Sequence, residues 1–164
     1  SFYGIAKLVS ETIIKKSLKG FPETSYMILR PALVFGPAEE GSFYGPSGFM
    51  RAAMKNEEII LWGDGSELRE FVYIDDLIFV FVSLIFNEFE GCVNVVNGTS
   101  RSFKDIVEAI KKEFKKLKVS SKERTREKTD QGFHNELLLD LAPGFAPTPL
   151  DKSLKAIRDE EIIK

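Results

Sequence analysis

The sequence has very few of the side chains that most often build disulfides and metal sites. It contains one cysteine, Cys92, and one histidine, His134. A single cysteine excludes a disulfide within this chain and is typical of proteins from a reducing compartment, so we expect a cytoplasmic protein. A single histidine cannot assemble a metal site by itself, and we predict no metal.

Long apolar segments and a strong net charge are also missing. The longest apolar run, residues 77–86 with one serine inside it, is too short to cross a bilayer as a helix. The formal net charge is only -2, which favours neither nucleic acid nor a membrane surface as a partner. Residues 111–128 are basic but nearly free of aromatic residues. We interpret them as a solvated helix face and a flexible loop rather than a nucleic-acid patch.

The sequence does contain an alternation of strand and helix patterns. Its 164 residues, 43% of them hydrophobic, suffice for one domain with a real core. Strands that alternate with helices predict an α/β fold. The predicted strands are 26–29, 33–35, 58–62, 69–74 and 91–96. The predicted helices are 2–19, 49–55, 75–88 and 102–117, with a last helix after Thr148 and Pro149.

Local signals mark where helices begin and where a loop lies. Asp75 and Asp76 are expected to cap the 75–88 helix, and Ser102 with Asp105 resembles a capping box. Residues 38–48 are rich in Gly, Ser, Glu and Pro, which predicts a loop that covers a site.

Tyr3 and Lys7 lie four residues apart in the first predicted helix. Positions i and i+4 share one helix face. An ammonium beside a phenol lowers the pKa of the tyrosine, so the phenol can exchange a proton near neutral pH. The pair suits oxidation of a sugar or an alcohol. The alternative is a surface helix along which the lysine extends towards solvent.

Four segments follow one another in a recognisable order. They are residues 3–7, with Tyr-Gly-Ile-Ala-Lys; residues 29–37, with Leu-Arg-Pro-Ala-Leu-Val-Phe-Gly-Pro; residues 62–77, with a Gly-Asp-Gly turn, an arginine and an aromatic strand before Asp-Asp; and residues 93–98. This order resembles the C-terminal half of the extended short-chain dehydrogenase/reductases, the NAD-dependent nucleotide-sugar epimerase/dehydratase family. Residues 141–147 are similar to that family's Leu-Gly-aromatic-x-Pro tail.

The resemblance implies a fold and a division of the chain. The fold would be the C-terminal part of an NAD(P)-binding Rossmann-like fold plus the small α/β substrate-binding domain. Residues 1–37 would form the Tyr-x-x-x-Lys helix and the following Rossmann strand. Residues 38–164 would be mainly the substrate-binding domain, with a Rossmann strand returning near 91–97. Because the Tyr-x-x-x-Lys helix commonly packs in a dimer bundle in this family, we expect a homodimer through helix 2–19.

The resemblance also implies residues on the cofactor side of a catalytic site. Tyr3 would be the general acid/base at the sugar hydroxyl. Lys7 would lower the pKa of Tyr3 and hydrogen-bond the nicotinamide ribose, so both would contact the cofactor. Pro31 and Leu33 would lie near the nicotinamide. Many family members have asparagine where this chain has Leu33, and that asparagine contacts the substrate phosphate.

Two further residues are implied on the substrate side, where the ligand would be a nucleotide sugar. Trp62 falls where the family often places an aromatic against the nucleotide base, although a core tryptophan is an alternative. Arg69 would clamp the substrate pyrophosphate with its rigid guanidinium fork, although a surface salt bridge is an alternative. Residues 128–132 and 137–140 look a little like the GDP-fucose synthase branch, but no histidine lies in 38–55, where that branch has its second acid/base.

The family's Gly-x-x-Gly-x-x-Gly loop, which binds the cofactor pyrophosphate at a helix N-terminus, is not found in this sequence. We therefore expect NAD (or NADP) only if an N-terminal half is supplied, and a chain that is inactive without it. A start inside a helix pattern at Ser1 fits a fragment. One alternative is a non-catalytic remnant that binds sugar nucleotides or mediates oligomerisation. Another is a reductase that acts on a non-sugar alcohol.

Overall fold

The computed structural model describes residues 2–37 and 44–163, and these fold into an α/β structure. Its α-helices are α1 Phe2–Ser17, α2 Pro46–Met54, α3 Ile74–Phe86, α4 Phe103–Lys111, α5 Glu136–Leu141 and α6 Leu150–Ile163. Its strands are β1 Met27–Pro31, β2 Leu33–Phe35, β3 Ile59–Trp62, β4 Leu68–Arg69, β5 Phe71–Tyr73, β6 Gly91–Val95, β7 Arg101–Ser102 and β8 Val119–Lys122. The predicted α/β class is confirmed.

The strands of the described residues pair two by two. Three pairs are parallel: β1 with β6, β2 with β5, and β3 with β8. The short strands β4 and β7 are antiparallel, with Arg69 opposite Arg101. Parallel partners need a long connection that usually includes a helix, and α3 lies between β1 and β6 in the chain. The two strands assigned to the Rossmann part from the sequence therefore lie side by side.

The first helix stands apart from the core. The helix predicted at 2–19 ends as an α-helix at Ser17, and the 3-10 turn Leu18–Gly20 follows it. Lys15 and Lys16 lie in the last helical turn, where positive charge is favourable to the helix dipole. However, α1 contains no buried residue. The side chains of Ile5, Leu8, Val9 and Ile13 are each at least 49% exposed, so the apolar stripe of this helix faces solvent.

Two hydrophobic clusters form the core. The larger cluster packs α2, α4 and α6 against β3 and β5, with the rings of Phe103 and Tyr44 4.5 Å apart at its centre. The smaller cluster packs α3 and α5 against β6. Successive side chains of a strand point to opposite faces. In β5, Phe71 and Tyr73 accordingly belong to the larger cluster, and Val72 belongs to the smaller one.

Several predicted boundaries are wrong. The strand predicted at 69–74 is interrupted at Glu70, which leaves β4 and β5 with different partners. The helix predicted at 49–55 begins at Pro46, because proline is well suited to the first helical position. The helix predicted at 102–117 ends at Lys111. Of the predicted 38–48 loop, residues 38–43 lie outside the described residues, and 46–48 form the first turn of α2.

The capping predictions have two outcomes. The capping box is confirmed: Asp105 N donates to Ser102 Oγ at 3.0 Å, and Ser102 N donates to Asp105 Oδ2 at 2.9 Å. The caps predicted at Asp75 and Asp76 are wrong, because both lie inside the first turn of α3. Asp76 instead accepts hydrogen bonds from the backbone N–H and the hydroxyl of Thr148, at 2.9 and 2.6 Å.

Three elements were not predicted: the strands β7 and β8 and the helix α5. The strand β8 lies in the stretch that we interpreted as a flexible loop, and it pairs with β3 along four residues. Among the described helices, none has both the length and the apolar character needed to cross a membrane.

Candidate functional site

Trp62 and Arg69 line the same cleft, which has a volume of about 810 Å³. The cleft lies beside the turn after β3, between β4 and the segment that follows β8. Its lining residues are Trp62, Glu67, Arg69, Arg124, Thr125, Arg126, Glu127 and Thr129. Three arginines and two glutamates give the lining a net charge of +1 at neutral pH, which favours an anionic ligand.

The Gly-Asp-Gly turn lies next to the cleft and is packed against Arg124. Gly63 has a φ of +58°, and Gly65 has a φ of +72°, a region that favours glycine. A β-carbon at residue 63 would lie 2.5 Å from Nε of Arg124, so this arginine would have to shift if residue 63 had a side chain. Asp64 accepts hydrogen bonds from the N–H and the hydroxyl of Ser66, which closes the turn.

Glu67 joins the two arginines at the centre of the cleft. Its Oε1 accepts a hydrogen bond from Arg69 Nη2, and its Oε2 accepts one from Arg124 Nη1 at 2.6 Å. The exposed fractions of the three side chains are 14% for Glu67, 19% for Arg69 and 20% for Arg124. Burial raises the pKa of the Glu67 carboxyl, but the hydrogen bonds from Arg124 and Arg69 outweigh it, and the pKa lies below its ordinary value.

Trp62 presents its indole at the edge of the cleft. Nζ of Lys122 lies 3.9 Å from the ring centroid, in a cation–π arrangement. The backbone N–H of Trp62 donates to the Tyr44 hydroxyl at 3.1 Å, which fixes the strand end. The indole is half-buried and belongs to neither hydrophobic cluster.

A hydrogen-bonded segment holds the Arg69 side chain from the other side. Leu68 N donates to Asp130 Oδ1 at 2.9 Å, and Gln131 N donates to the Leu68 carbonyl at 3.1 Å. The Thr129 carbonyl accepts a hydrogen bond from Arg69 Nη1. The Ser100 hydroxyl donates to the Gln131 carbonyl at 2.6 Å. Arg69 is thus oriented by a backbone segment as well as by Glu67.

The other predicted residues lie outside this cleft. On α1, Nζ of Lys7 lies 5.3 Å from the ring centroid of Tyr3, so the two side chains do share one helix face. Tyr3 is 73% exposed. Pro31 ends β1 and Leu33 begins β2, and both side chains are exposed. The structure brings Trp62 and Arg69 together, and it leaves Tyr3, Lys7, Pro31 and Leu33 out of the cleft lining.

Sequence reasoning missed six of the eight lining residues, among them Glu67 and Arg124, and it also missed Lys122, which packs on Trp62. Lys122 and Arg124 come from β8 and the residues after it, where no apolar pattern is present. The sequence of 122–128 could have indicated them, because its cations recur at every second position and would lie on one side of an extended segment. Among the described residues, no group of His, Cys, Asp and Glu is arranged to hold a metal ion.

The cofactor implied by the resemblance fits the described residues only in part. The phenol of Tyr3 and the ammonium of Lys7 are exposed polar groups on one face and suit ribose hydroxyls. A glycine-rich loop for the cofactor pyrophosphate is absent from the sequence.

Comparison with known proteins gives the class of the chain. Residues 1–97 match the family described as "NAD dependent epimerase/dehydratase family". The match covers more than half of the chain, and the chain belongs to this family of nucleotide-sugar epimerases and dehydratases, whose members bind NAD.

Individual relatives differ in the reaction that their names give. A UDP-N-acetyl-alpha-D-glucosaminuronate decarboxylase from Bacillus cytotoxicus is 28% identical over 112 residues, or 66% of this chain and 34% of that protein. A dTDP-4-dehydro-6-deoxy-D-allose reductase from Streptomyces bikiniensis is 33% identical over 82 residues, or 46% of this chain and 24% of that protein.

The fold has close counterparts among solved structures. The UDP-glucuronic acid 4-epimerase from Bacillus cereus, in complex with UDP-glucuronic acid and NAD, aligns with a TM-score of 0.81 at 22% identity. The alignment covers 100% of this chain and 54% of that one. The chain thus spans about a quarter to a third of the length of these two curated relatives and about half of this structure.

Proposed function

We propose that this chain forms the substrate-binding part of an NAD-linked enzyme that oxidises and reduces a carbon of a nucleotide sugar. The observation that carries the proposal is the meeting of Trp62 and Arg69 in one cleft with a positively charged lining. A flat indole suits a nucleotide base, and a guanidinium fork suits a diphosphate. The family membership of the chain supports the same ligand class.

The ligand would lie along the cleft with its two ends recognised differently. The base stacks on the Trp62 indole, against which the ammonium of Lys122 packs in this structure. The diphosphate is bound by Arg69, with Arg124 as a second cation. Because Trp62 and Arg69 line one cleft of about 810 Å³, there is room for both parts of the ligand. The sugar then extends towards the rest of the enzyme.

Proton transfer is assigned to the α1 pair. Tyr3 acts as general acid/base at a sugar hydroxyl, and Lys7 stabilises the phenolate and contacts the nicotinamide ribose. Pro31 and Leu33 lie at the adjoining strand ends and form part of the nicotinamide surroundings. Beside these residues, NAD or NADP would supply the hydride transfer to and from the sugar carbon. Because the chain has no glycine-rich loop, we propose that the cofactor binds only when a dinucleotide-binding half is supplied, and that the chain alone is inactive.

A second candidate function is non-catalytic: sugar-nucleotide binding or oligomerisation alone. The exposed apolar stripe of α1 favours an interface, because contiguous apolar surface invites association. We propose a homodimer through residues 2–19 in either case. A cytoplasmic location is supported by the single cysteine and by the ligand class.

The proposal is tested by nucleotide binding to the chain as it stands. Trp62 is the only tryptophan, so its fluorescence reports on the cleft without a label. UDP, GDP and dTDP are titrated, and at least one should change the emission saturably. If none does, and none raises the melting temperature, the nucleotide-sugar assignment is wrong. Activity that appears only after addition of a dinucleotide-binding half then separates the enzyme from the non-catalytic candidate.

A further inference from the structure

The Glu67 carboxylate occupies the donors that a diphosphate would use in the cleft. One of its oxygens accepts from Arg69 and the other accepts from Arg124. All three side chains are at least four-fifths buried, so the ion pairs are poorly screened by water. The two guanidiniums are therefore close enough to be bridged by a single small anion.

A carboxylate and a phosphoryl group can each bind a pair of arginines with the same kind of hydrogen bonds. Both offer two oxygens to the N–H groups of arginine in charge-assisted hydrogen bonds. With Glu67 ionised, the Glu67–Arg69–Arg124 group has a net charge of +1, and without it the charge would be +2. An incoming diphosphate thus meets both an occupied donor set and a reduced positive potential.

One donor of the pair is left over. Arg124 Nη2 is buried and makes no hydrogen bond within the part of the chain that the structure describes. An oxygen of Asp64 lies 3.8 Å from it, which is an ion-pair distance but too long for a hydrogen bond. A buried donor without an acceptor is costly, and a further anion in the cleft would satisfy it.

We propose that Glu67 is an intramolecular competitor for the phosphate position and thereby sets the affinity of the cleft for nucleoside diphosphates. The ligand class in this inference rests on the proposed function. The replacement of one anion by another at the two arginines does not depend on it. Binding replaces the hydrogen bonds of Glu67 to Arg69 and Arg124 with those of the diphosphate. The Glu67 carboxylate then leaves the arginines, and the free energy needed to break its hydrogen bonds lowers the affinity for the diphosphate.

The test compares Glu67→Gln with Glu127→Gln, by calorimetric titration of UDP and of inorganic pyrophosphate at low ionic strength. Both substitutions change a glutamate of the same cleft in the same way, but only Glu67 bridges the arginines. Competition predicts that Glu67→Gln binds pyrophosphate and UDP about fivefold more tightly, equivalent to ~1 kcal/mol. Glu127→Gln should change both affinities much less.

The sign of the change decides between two roles for Glu67. Unchanged or weaker pyrophosphate binding in Glu67→Gln would mean that Glu67 only orients the arginines, and would overturn the proposal. Equal tightening in Glu127→Gln would also overturn it, because the effect would then be one of overall charge. Tighter pyrophosphate binding without UDP binding supports the competition and refutes the nucleotide function. If Glu67→Gln does not fold, Glu67→Asp decides, because its shorter side chain keeps the charge and should tighten binding to a smaller extent.

Discussion

Arg30 extends from β1 to Glu11 on α1 and donates two hydrogen bonds to its carboxylate. Nε donates to Oε1 at 2.8 Å, and Nη2 donates to Oε2. Two parallel hydrogen bonds between a guanidinium and a carboxylate form one of the stronger surface contacts of proteins. This pair links β1 to the helix that carries Tyr3 and Lys7, although no residue of α1 is buried.

Glu11→Gln should loosen α1 without unfolding the core. The neutral amide keeps at most one of the two hydrogen bonds, and α1 belongs to neither hydrophobic cluster. We expect trypsin to cleave after Lys15, Lys16 and Lys19 about threefold faster, because local opening costs less free energy. Glu23→Gln, on the exposed connection to β1, is the control and should be cleaved at the wild-type rate.

The same link should depend on pH in a definite direction. The hydrogen bond from Arg30 holds the pKa of the Glu11 carboxyl below its ordinary value of 4.5. A lowered pKa means that the contact is fully present above pH 4.5 and is lost as the pH falls through the lower, folded-state value. The protection factors of the α1 amides, which are corrected for the intrinsic exchange rate at each pH, should accordingly fall on acidification in the wild type. A Glu11→Gln protein with the same acid-induced fall in protection would contradict this assignment.

Gly63→Ala should damage both stability and the cleft. A β-carbon at this position meets the Arg124 side chain at 2.5 Å and requires a φ of +58° from a non-glycine residue. The backbone strain alone costs about 1 kcal/mol, and the clash adds to it. Gly144→Ala is the matched control, since Gly144 has a φ of +88° but open space where the β-carbon would be. Urea denaturation should show a larger loss for Gly63→Ala, and equal losses would mean that Arg124 moves away freely.

Arg69→Ala should abolish most nucleotide binding if the cleft takes a diphosphate. Removal of one charge-assisted contact should weaken UDP binding by about tenfold or more, measured by Trp62 fluorescence. Arg101→Ala removes the same charge from the opposite position on β7, outside the cleft lining, and should retain wild-type affinity. Equal weakening in both variants would indicate a general effect of charge.

Leu8→Lys should reduce self-association of the chain. Leu8 is 61% exposed in the apolar stripe of α1, where a lysine would place a charge inside the proposed interface. Sedimentation velocity should show a dimer for the wild type and a monomer for this variant. Leu137→Lys, at a leucine of α5 with 58% exposure, should leave the wild-type distribution unchanged. A wild type that stays monomeric at high concentration would refute the interface.

Features set by nearby residues were predicted well. The capping box of Ser102 and Asp105 needs only residues three apart, and it formed as expected. The turn at Gly63 was marked by glycine, and the structure shows why. The roles of Trp62 and Arg69 were implied by the family resemblance and stay predictions, whereas the structure shows that the two residues line one cleft.

Features set by distant partners were not predicted. β8 has a polar sequence, and it is a strand because Ile59–Trp62 offers a neighbouring edge. Asp76 looked like a cap, but its partner is Thr148, which is 72 residues away. Glu67 was overlooked for the same reason, because its importance depends on Arg124. A sequence pattern gives the period of a strand, but not the strand beside it.

The alternation along β5 connects the two hydrophobic clusters through one strand. Phe71 and Tyr73 belong to one cluster and Val72 to the other, within three consecutive residues. Because the clusters share this strand, loss of order in one removes packing partners from the other. Heat should therefore unfold both clusters in a single cooperative transition. Substitutions that destabilise α3 or α5, which pack against β6, should for the same reason also destabilise the cleft.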